Sequence, residues 1–307
     1  YASNGISNLG NEAVTLSDTT LAATVFNTLN GNTSGTVNGD SITTLTGTAA
    51  AANTAVSAAG TSNMGDQAVT LSDTTLAASV LNTLNGNTSG TINASSVTTF
   101  TGTATVVNTA ITGAGASGLG NEAVTLTDTS VAAANLNTLD GNTSGAIDAG
   151  TVNTITGTAA AANTAYASAG ITALGDEAVT LSDTTLAATV LNTLDGNTSG
   201  AVNAATVTTL TGTTAAANTA YASSGISNLG NEAVTISDTT IAVAVLDTLN
   251  DNTTGTINGN TITTITGAAA TINTQYAGGV SNLGNEAITI SDTTIAVSVL
   301  DTLNDNT

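Results

Sequence analysis

The chain of 307 residues contains no lysine, arginine, histidine, cysteine, proline or tryptophan. Each absence excludes a class of chemistry. Without Lys or Arg nothing can neutralise phosphate, so nucleic-acid binding is excluded, and attraction to anionic membrane surfaces with it. Without cysteine there are no disulfides and no thiolate metal sites, and without lysine there are no isopeptide crosslinks. No His or Lys can activate a serine, and a carboxylate pair is the catalytic chemistry left available. No apolar run approaches the ~20 residues that cross a bilayer, so membrane insertion is not expected. Twenty-one acids stand uncompensated, giving a formal charge of −21. Stability must therefore come from packing and backbone hydrogen bonding.

What the chain has is repetition. The Asp of "SDT" (once "TDT") recurs with a constant 55-residue period at Asp18, Asp73, Asp128, Asp183 and Asp238. Asp292 comes one position early, because "YAGGVSNLG" is one residue shorter than "YASSGISNLG". The reading is one continuous repeat array over 1–307, with units about 13–67, 68–122, 123–177, 178–232 and 233–286 and a partial 287–307. Tyr1 opens the chain where Met would, and Thr307 falls inside a repeat, so a fragment of a longer chain is expected.

The unit divides again. "LNGNTSGTVNGDSITTL" (Leu29 to Leu45) aligns without a gap on "AVSAAGTSNMGDQAVTL" (Ala55 to Leu71). Asn27 stands 11 places after Leu16, whereas Asn53 stands 8 places after Leu45, so 29-residue and 26-residue half-repeats alternate. Each half reads as strand then helix: "AVTLS" and "ITTLT" are β-branched and alternating. Leu21, Val25, Phe26 and Leu29 make an apolar helical stripe. "TGTAAAANTA" reads as a shorter helix faced with alanine. Asp18 stands at the position of an N-cap and Gly31 at that of a left-handed C-cap. These patterns predict an α/β repeat, a solenoid of ~27-residue strand-helix coils, two per 55-residue repeat, with a leucine-rich-repeat-like build. Separate compact modules, one per 55-residue copy, are the competing arrangement.

If equivalent residues stack, Thr15, Thr44, Thr70, Thr99 and Thr125 begin a column of threonines. Ser17, Thr46, Ser72, Thr101 and Thr127 begin a second, with Leu16, Leu45, Leu71 and Phe100 buried between them. In the next column Asp18 would alternate with Gly47, and Asp73 with Gly102, which spaces the acids apart. The Thr-x-Ser/Thr array resembles the ice-binding face of β-solenoid antifreeze proteins, and that resemblance implies a face for ice or a polysaccharide. Threonine is also a good strand former that stacks along a solvated sheet.

Calcium takes oxygen ligands alone, and it is the candidate cofactor. Its candidate ligands are Glu12, Asp18, Asp73, Glu122, Asp128, Glu177, Asp183, Glu232 and Asp238. "NGN" (Asn30-Gly31-Asn32) and "DGN" (Asp140-Gly141-Asn142) also supply oxygens, although such residues equally make caps and turns. No spacing matches an EF-hand, and Gln67 replaces the glutamate in the second copy. Asn53, Asn108, Asn163, Asn218 and Asn273 read as amides bonding neighbouring backbone between coils, or as glycan contacts. Every acid belongs to a repeated column or a loop, so no catalytic residue is assigned and no enzyme is expected.

The alternation of "VTLSDTTLAATVLNTL" with "ITTLTGTAAAANTA" resembles tandem repeats of giant secreted bacterial, cyanobacterial-type, surface and adhesin-like proteins. The resemblance implies an extracellular structural protein at a cell surface, forming a rod, filament, sheath, adhesin stalk or S-layer. Self-association end to end or laterally is the implied partnership. The alternative is a ligand- or ice-binding solenoid that uses its threonine face.

Overall fold

A computed structural model describes residues 9–307; the first eight residues of the expected array lie outside it. The first two turns show the local plan. β1 (Val14–Thr15) and β2 (Thr20–Ala22) lead into α1 (Ala23–Asn32), and β3 (Val37–Asn38) and β4 (Thr44–Gly47) into α2 (Ala49–Val56). β5 (Thr61–Ser62), β6 (Ala68–Leu71) and β7 (Thr75–Ala77) then precede α3 (Ala78–Asn87). β8 (Ile92–Asn93), β9 (Thr99–Gly102), α4 (Ala104–Thr112) and β10 (Ala116–Ser117) repeat the order. Two and then three short strands therefore lie between successive helices. The architecture is a solenoid-type α/β repeat whose strand pairs are parallel.

Close contacts divide the chain into two compact units. One comprises the chain through Val131 with Asn135–Val152 and Ser168–Ala173; the other comprises Ala132–Ala134, Asn153–Ala167 and Leu174–Thr307. In the first unit one ladder runs β2-β4-β6-β8-β10, pairing Leu21 with Leu45, Leu45 with Val69, Val69 with Ile92 and Ile92 with Ala116. In the second, a ladder pairs Leu186 with Leu210, Leu210 with Val234, Val234 with Ile257 and Ile257 with Val280. Both ladders cross the 55-residue boundaries, which excludes separate modules within either unit. Each is an unbroken apolar row and forms the strand side of the core.

The register differs from the columns expected from the repeat. Along the first ladder the partners fall at sequence positions 21, 45, 69, 92 and 116, steps of 24, 24, 23 and 24. Equivalent helix residues step by 26 and 29 (Phe26, Ala52, Leu81). Strands want about 4.8 Å between neighbours and helices about 8–10 Å, so one common step does not suit both. The ladders consequently run obliquely, and each is built from five non-equivalent strands.

The helices bury narrower stripes than expected. In α3 the buried positions are Ala78, Leu81 and Leu84, spaced i, i+3, i+6, and in α2 they are Ala49, Ala52 and Ala55 with Val56 beside them. Leu21 belongs to β2 rather than to the helix, and Val25 is exposed. Large residues on the long helices and alanines on the short ones let neighbours of unequal bulk pack.

Burial depends on the following turn. Val243 and Leu246 are 2% and 0% exposed, whereas their equivalents Val297 and Leu300, with no described turn after them, are 73% and 43% exposed. The one-residue deletion is absorbed in a kinked turn, Gln275–Gly279, where Gly278 leaves the helical conformation ahead of strand Val280–Ser281. Val280 still pairs with Ile257 and Ile288 with Ile265, so the ladder keeps its register.

Two glycines of "NGNTSG" carry opposite demands. Gly86 lies inside α3 with open space where a Cβ would stand, whereas a Cβ on Gly90 would lie 2.2 Å from the carbonyl oxygen of Gln67. Gly86→Ala is expected to stabilise by up to about 1 kcal/mol through helix propensity. Gly90→Ala is expected to cost about 2–3 kcal/mol by forcing apart two backbones. Urea denaturation of the two variants checks the opposite signs.

Candidate functional site

The polar residues singled out in the sequence are mostly spent on holding one turn to the next. Asp73 Oδ2 accepts from the Ala49 N–H at 2.8 Å, so it caps α2 of the preceding turn. Asp128, Asp183, Asp238 and Asp292 cap the short helices that begin at Ala104, Ala159, Thr214 and Ala269 in the same way. The expected N-cap role toward the following helix is thereby corrected. A strand intervenes before that helix, and its own cap residue, Ala77, makes no side-chain bond. Asp18 has no described short helix before it. Thr48, Thr103 and Thr213 add a second cap on the short helices.

Gly31 is also reassigned. It lies within α1, which ends at Asn32, and the extended Thr33 follows. Since no left-handed backbone is required there, Asp251 is accommodated at the equivalent place. The glycine that the fold demands is four residues on. Cβ atoms at Gly90, Gly145, Gly200 and Gly255 would lie 2.1–2.3 Å from the carbonyl oxygens of Gln67, Glu122, Glu177 and Glu232. Beside each approach a buried threonine closes the gap: Thr143 Oγ1 donates to the Glu122 carbonyl at 2.6 Å and accepts from the Gly145 N–H at 3.0 Å. Thr88, Thr198 and Thr253 repeat this clasp. The sequence reading missed it, although "NTSG" or "NTTG" in every complete copy was the signal.

The asparagines bond across turns as expected. Asn53 Nδ2 donates to the Val80 carbonyl at 3.0 Å, and Asn108, Asn163, Asn218 and Asn273 each reach the next helix likewise. The Asn53 Oδ1 accepts from Asn87, so both ends of this amide are used within the chain. Asp140 and Asp195 accept from Ser168 and Ser223. The Asn30-Gly31-Asn32 stretch is helical, and Asn30 Nδ2 donates to the Ala59 carbonyl.

The continuous threonine column does not form. Thr44 pairs with Thr20 and Ala68, and Thr70 pairs with Thr46 and Asn93; Thr15 pairs with Asn38. Thr99 likewise pairs with Thr75 and Ala123, and Thr125 with Thr101 and Asp148. The oblique ladders break the column into Thr-Thr pairs flanked by Ala and by Asn or Asp. Ser17, Ser72 and Thr127 are exposed beyond the strand ends. Leu45 pairs with Val69 and Leu71 with Gly47, so the apolar column Leu16, Leu45, Leu71, Phe100 is likewise replaced by rows of mixed repeat position. Alternation still keeps hydroxyls on one face and the apolar row on the other.

The acids named as calcium candidates take two different jobs. Asp73, Asp128, Asp183 and Asp238 cap helices, while the glutamates turn inward: Glu122, Glu177 and Glu232 are 0%, 1% and 1% exposed. Oε2 of Glu122 accepts from the N–H groups of Gly120 and Asn121 at 2.8 and 3.2 Å. Glu12, half-buried, makes the same turn, and the N–H bonds from Gly10 and its neighbours hold its carboxyl below the usual range. Among the described residues no three His, Cys, Asp or Glu side chains gather as a metal cluster. No helix among them is long and apolar enough to cross a membrane.

Tyrosines cover three of the glutamates. The hydroxyls of Tyr166, Tyr221 and Tyr276 donate to Oε2 of Glu177, Glu232 and Glu286 at 3.1, 3.2 and 2.6 Å. Burial foremost, with the Glu232 charge adding and a Thr253 hydrogen bond opposing, pushes Tyr221 from 10.0 up to about 12. Burial also raises Tyr166 and Tyr276.

No protein-family model matches the chain, and no curated protein matches it.

Two outcomes follow for stability. Asp73→Ala removes a cap and is expected to cost about 1 kcal/mol, with Asp73→Asn costing less because it retains an acceptor. The unfolded chain loses the Tyr221 proton near its ordinary 10.0, whereas the folded chain holds it to about 12. The folded state therefore binds more protons in between, and stability falls as pH rises through that window. Tyr221→Phe is expected to shallow that fall, read from urea midpoints across the window.

Proposed function

We propose that the chain is the repeat region of an extracellular structural protein, forming a rod, filament, sheath or adhesin stalk on a bacterial surface. The observation that carries this reading is the recurrence of one set of turn-to-turn bonds. The Asp cap, the Thr–Gly clasp and the Asn amide bond appear copy after copy with the same partners. A chain that spends its polar side chains on its own neighbours is built for extension, and such stacks can grow by adding copies.

Composition supports an exterior setting. A chain without Lys or Arg offers nothing to trypsin-like proteases, and one without Cys is indifferent to redox state. Its acids sit in repeated caps and turns, so a structural role without catalysis fits better than an enzyme. The resemblance to giant secreted surface repeats points the same way, with self-association end to end or laterally as the partnership. An ice- or polysaccharide-binding face is less well supported, because the ranked threonine array is broken into pairs.

Electron microscopy of chains carrying different numbers of the 55-residue copy tests this. Particle length is expected to rise in proportion to copy number. Rounded particles whose diameter grows only slowly with mass would contradict it.

A further inference from the structure

Glu122, Glu177, Glu232 and Glu286 are between 0% and 5% exposed, and in each the second carboxylate oxygen, Oε1, is buried without a hydrogen-bond partner. The second copy carries the internal comparison. Gln67 Oε1 accepts from the Gly65 N–H at 2.7 Å, the bond that Glu122 Oε2 receives from Gly120 at 2.8 Å. Gln67 Nε2 therefore marks where the orphaned oxygen lies in the other copies. That nitrogen donates to the Asn63 carbonyl at 3.0 Å and to Asp66 Oδ1 at 2.7 Å. Asn63 has the left-handed backbone (φ +57°), as do Gly118, Ala173, Asn228 and Asn282, four residues before Glu122, Glu177, Glu232 and Glu286. By equivalence with the Gln67 turn, the carbonyls of Gly118, Asn228 and Asn282 would face a carboxylate oxygen where an amide donor belongs.

An oxygen among oxygens requires positive charge between them, and a buried carboxylate requires a counter-charge. The chain contains no Lys, Arg or His to provide it. A proton would satisfy one acceptor, whereas the Gln67 amide satisfies two with its two hydrogens. The demand is greatest at Glu177, where Asp176 stands in place of Asp66 and brings a second carboxylate. The donors are carboxylate and backbone oxygens, hard ligands of the kind that a cation of calcium size takes.

We propose that Glu177, and with it Glu122, Glu232 and Glu286, each bind a calcium-class cation through the buried Oε1, independently of the helix-capping aspartates. The inference stands apart from the rod reading and survives or fails without it.

Terbium(III) luminescence excited through tyrosine tests it, because three of the four tyrosines touch these glutamates and the chain has no tryptophan. The native chain is expected to give sensitised emission that calcium displaces. The triple variant Glu177→Gln, Glu232→Gln, Glu286→Gln is expected to lose it while keeping its far-ultraviolet circular dichroism, since Gln67 shows that the turn accepts glutamine. Should that variant not fold, Tyr166→Ile, Tyr221→Ile and Tyr276→Ile together carry the test, following Ile111 in the Glu122 copy. They are expected to abolish emission while calorimetry still detects calcium. Absent emission from the native chain, with a melting temperature unmoved by calcium or chelator, overturns the proposal and leaves a carboxyl proton as the counter-charge. Emission that survives in either variant overturns it as well.

Discussion

No turn of this chain has enough apolar surface to fold alone, and the whole structure depends on each turn being covered by the next. The contrast of Val243 and Leu246 with Val297 and Leu300 makes this plain, because equivalent helices bury or expose equivalent side chains according to whether a described turn packs after them. Burying a side chain of that size contributes about 1.5–3 kcal/mol, which is why stacking outweighs the entropy of ordering so polar a chain. Once stacking is obligatory, polar groups trapped between turns must find partners there. The Asp caps, Thr clasps and Asn amide bonds are that requirement met with uncharged or singly charged groups.

The total lack of cations shapes these solutions. A protein with Lys and Arg can pair its acids, whereas here the capping aspartates and the inward glutamates are stabilised by N–H and O–H donors. The capping aspartates take the positive end of a neighbouring helix. The inward glutamates take one or two backbone N–H groups and, in three copies, a tyrosine hydroxyl. The two phases of the repeat, a long helix with leucine and a short one with alanine, are set by the same economy of space, since Ala52 faces helices carrying Phe26 and Leu81.

Much of this was legible in the sequence. The 55-residue period, the halves of 29 and 26, the strand segments at "AVTL" and the alanine-faced helix all follow from spacing and side-chain type. The inter-turn role of Asn53 followed from the need to satisfy buried amides. The register was not legible. Equivalence in sequence suggests that Thr44 stacks on Thr70, but strands and helices prefer different spacings, and the ladder resolves the conflict by stepping 23 or 24 positions along the chain. Two-residue strands such as Val37–Asn38 carry too little pattern to announce themselves. The partner of Asp73 was hidden because the helix it caps lies before it in the chain. The burial of Glu122 left a faint trace: its replacement by Gln67, which has the same shape without the charge, marks a constrained interior place.

The stacking of turn on turn depends on the oblique register, and cysteine pairs test it directly because the chain has no cysteine of its own. Thr46 and Thr70 are ladder partners, so their Cα atoms lie about 4.8 Å apart, whereas Thr44 and Thr70 are offset by two residues, about 8 Å apart. A disulfide tolerates roughly 4.4–6.8 Å. Under mild oxidation Thr46→Cys with Thr70→Cys is expected to close, and Thr44→Cys with Thr70→Cys to stay reduced. Closure of the second pair and not the first would show like stacking on like and would contradict the oblique ladders.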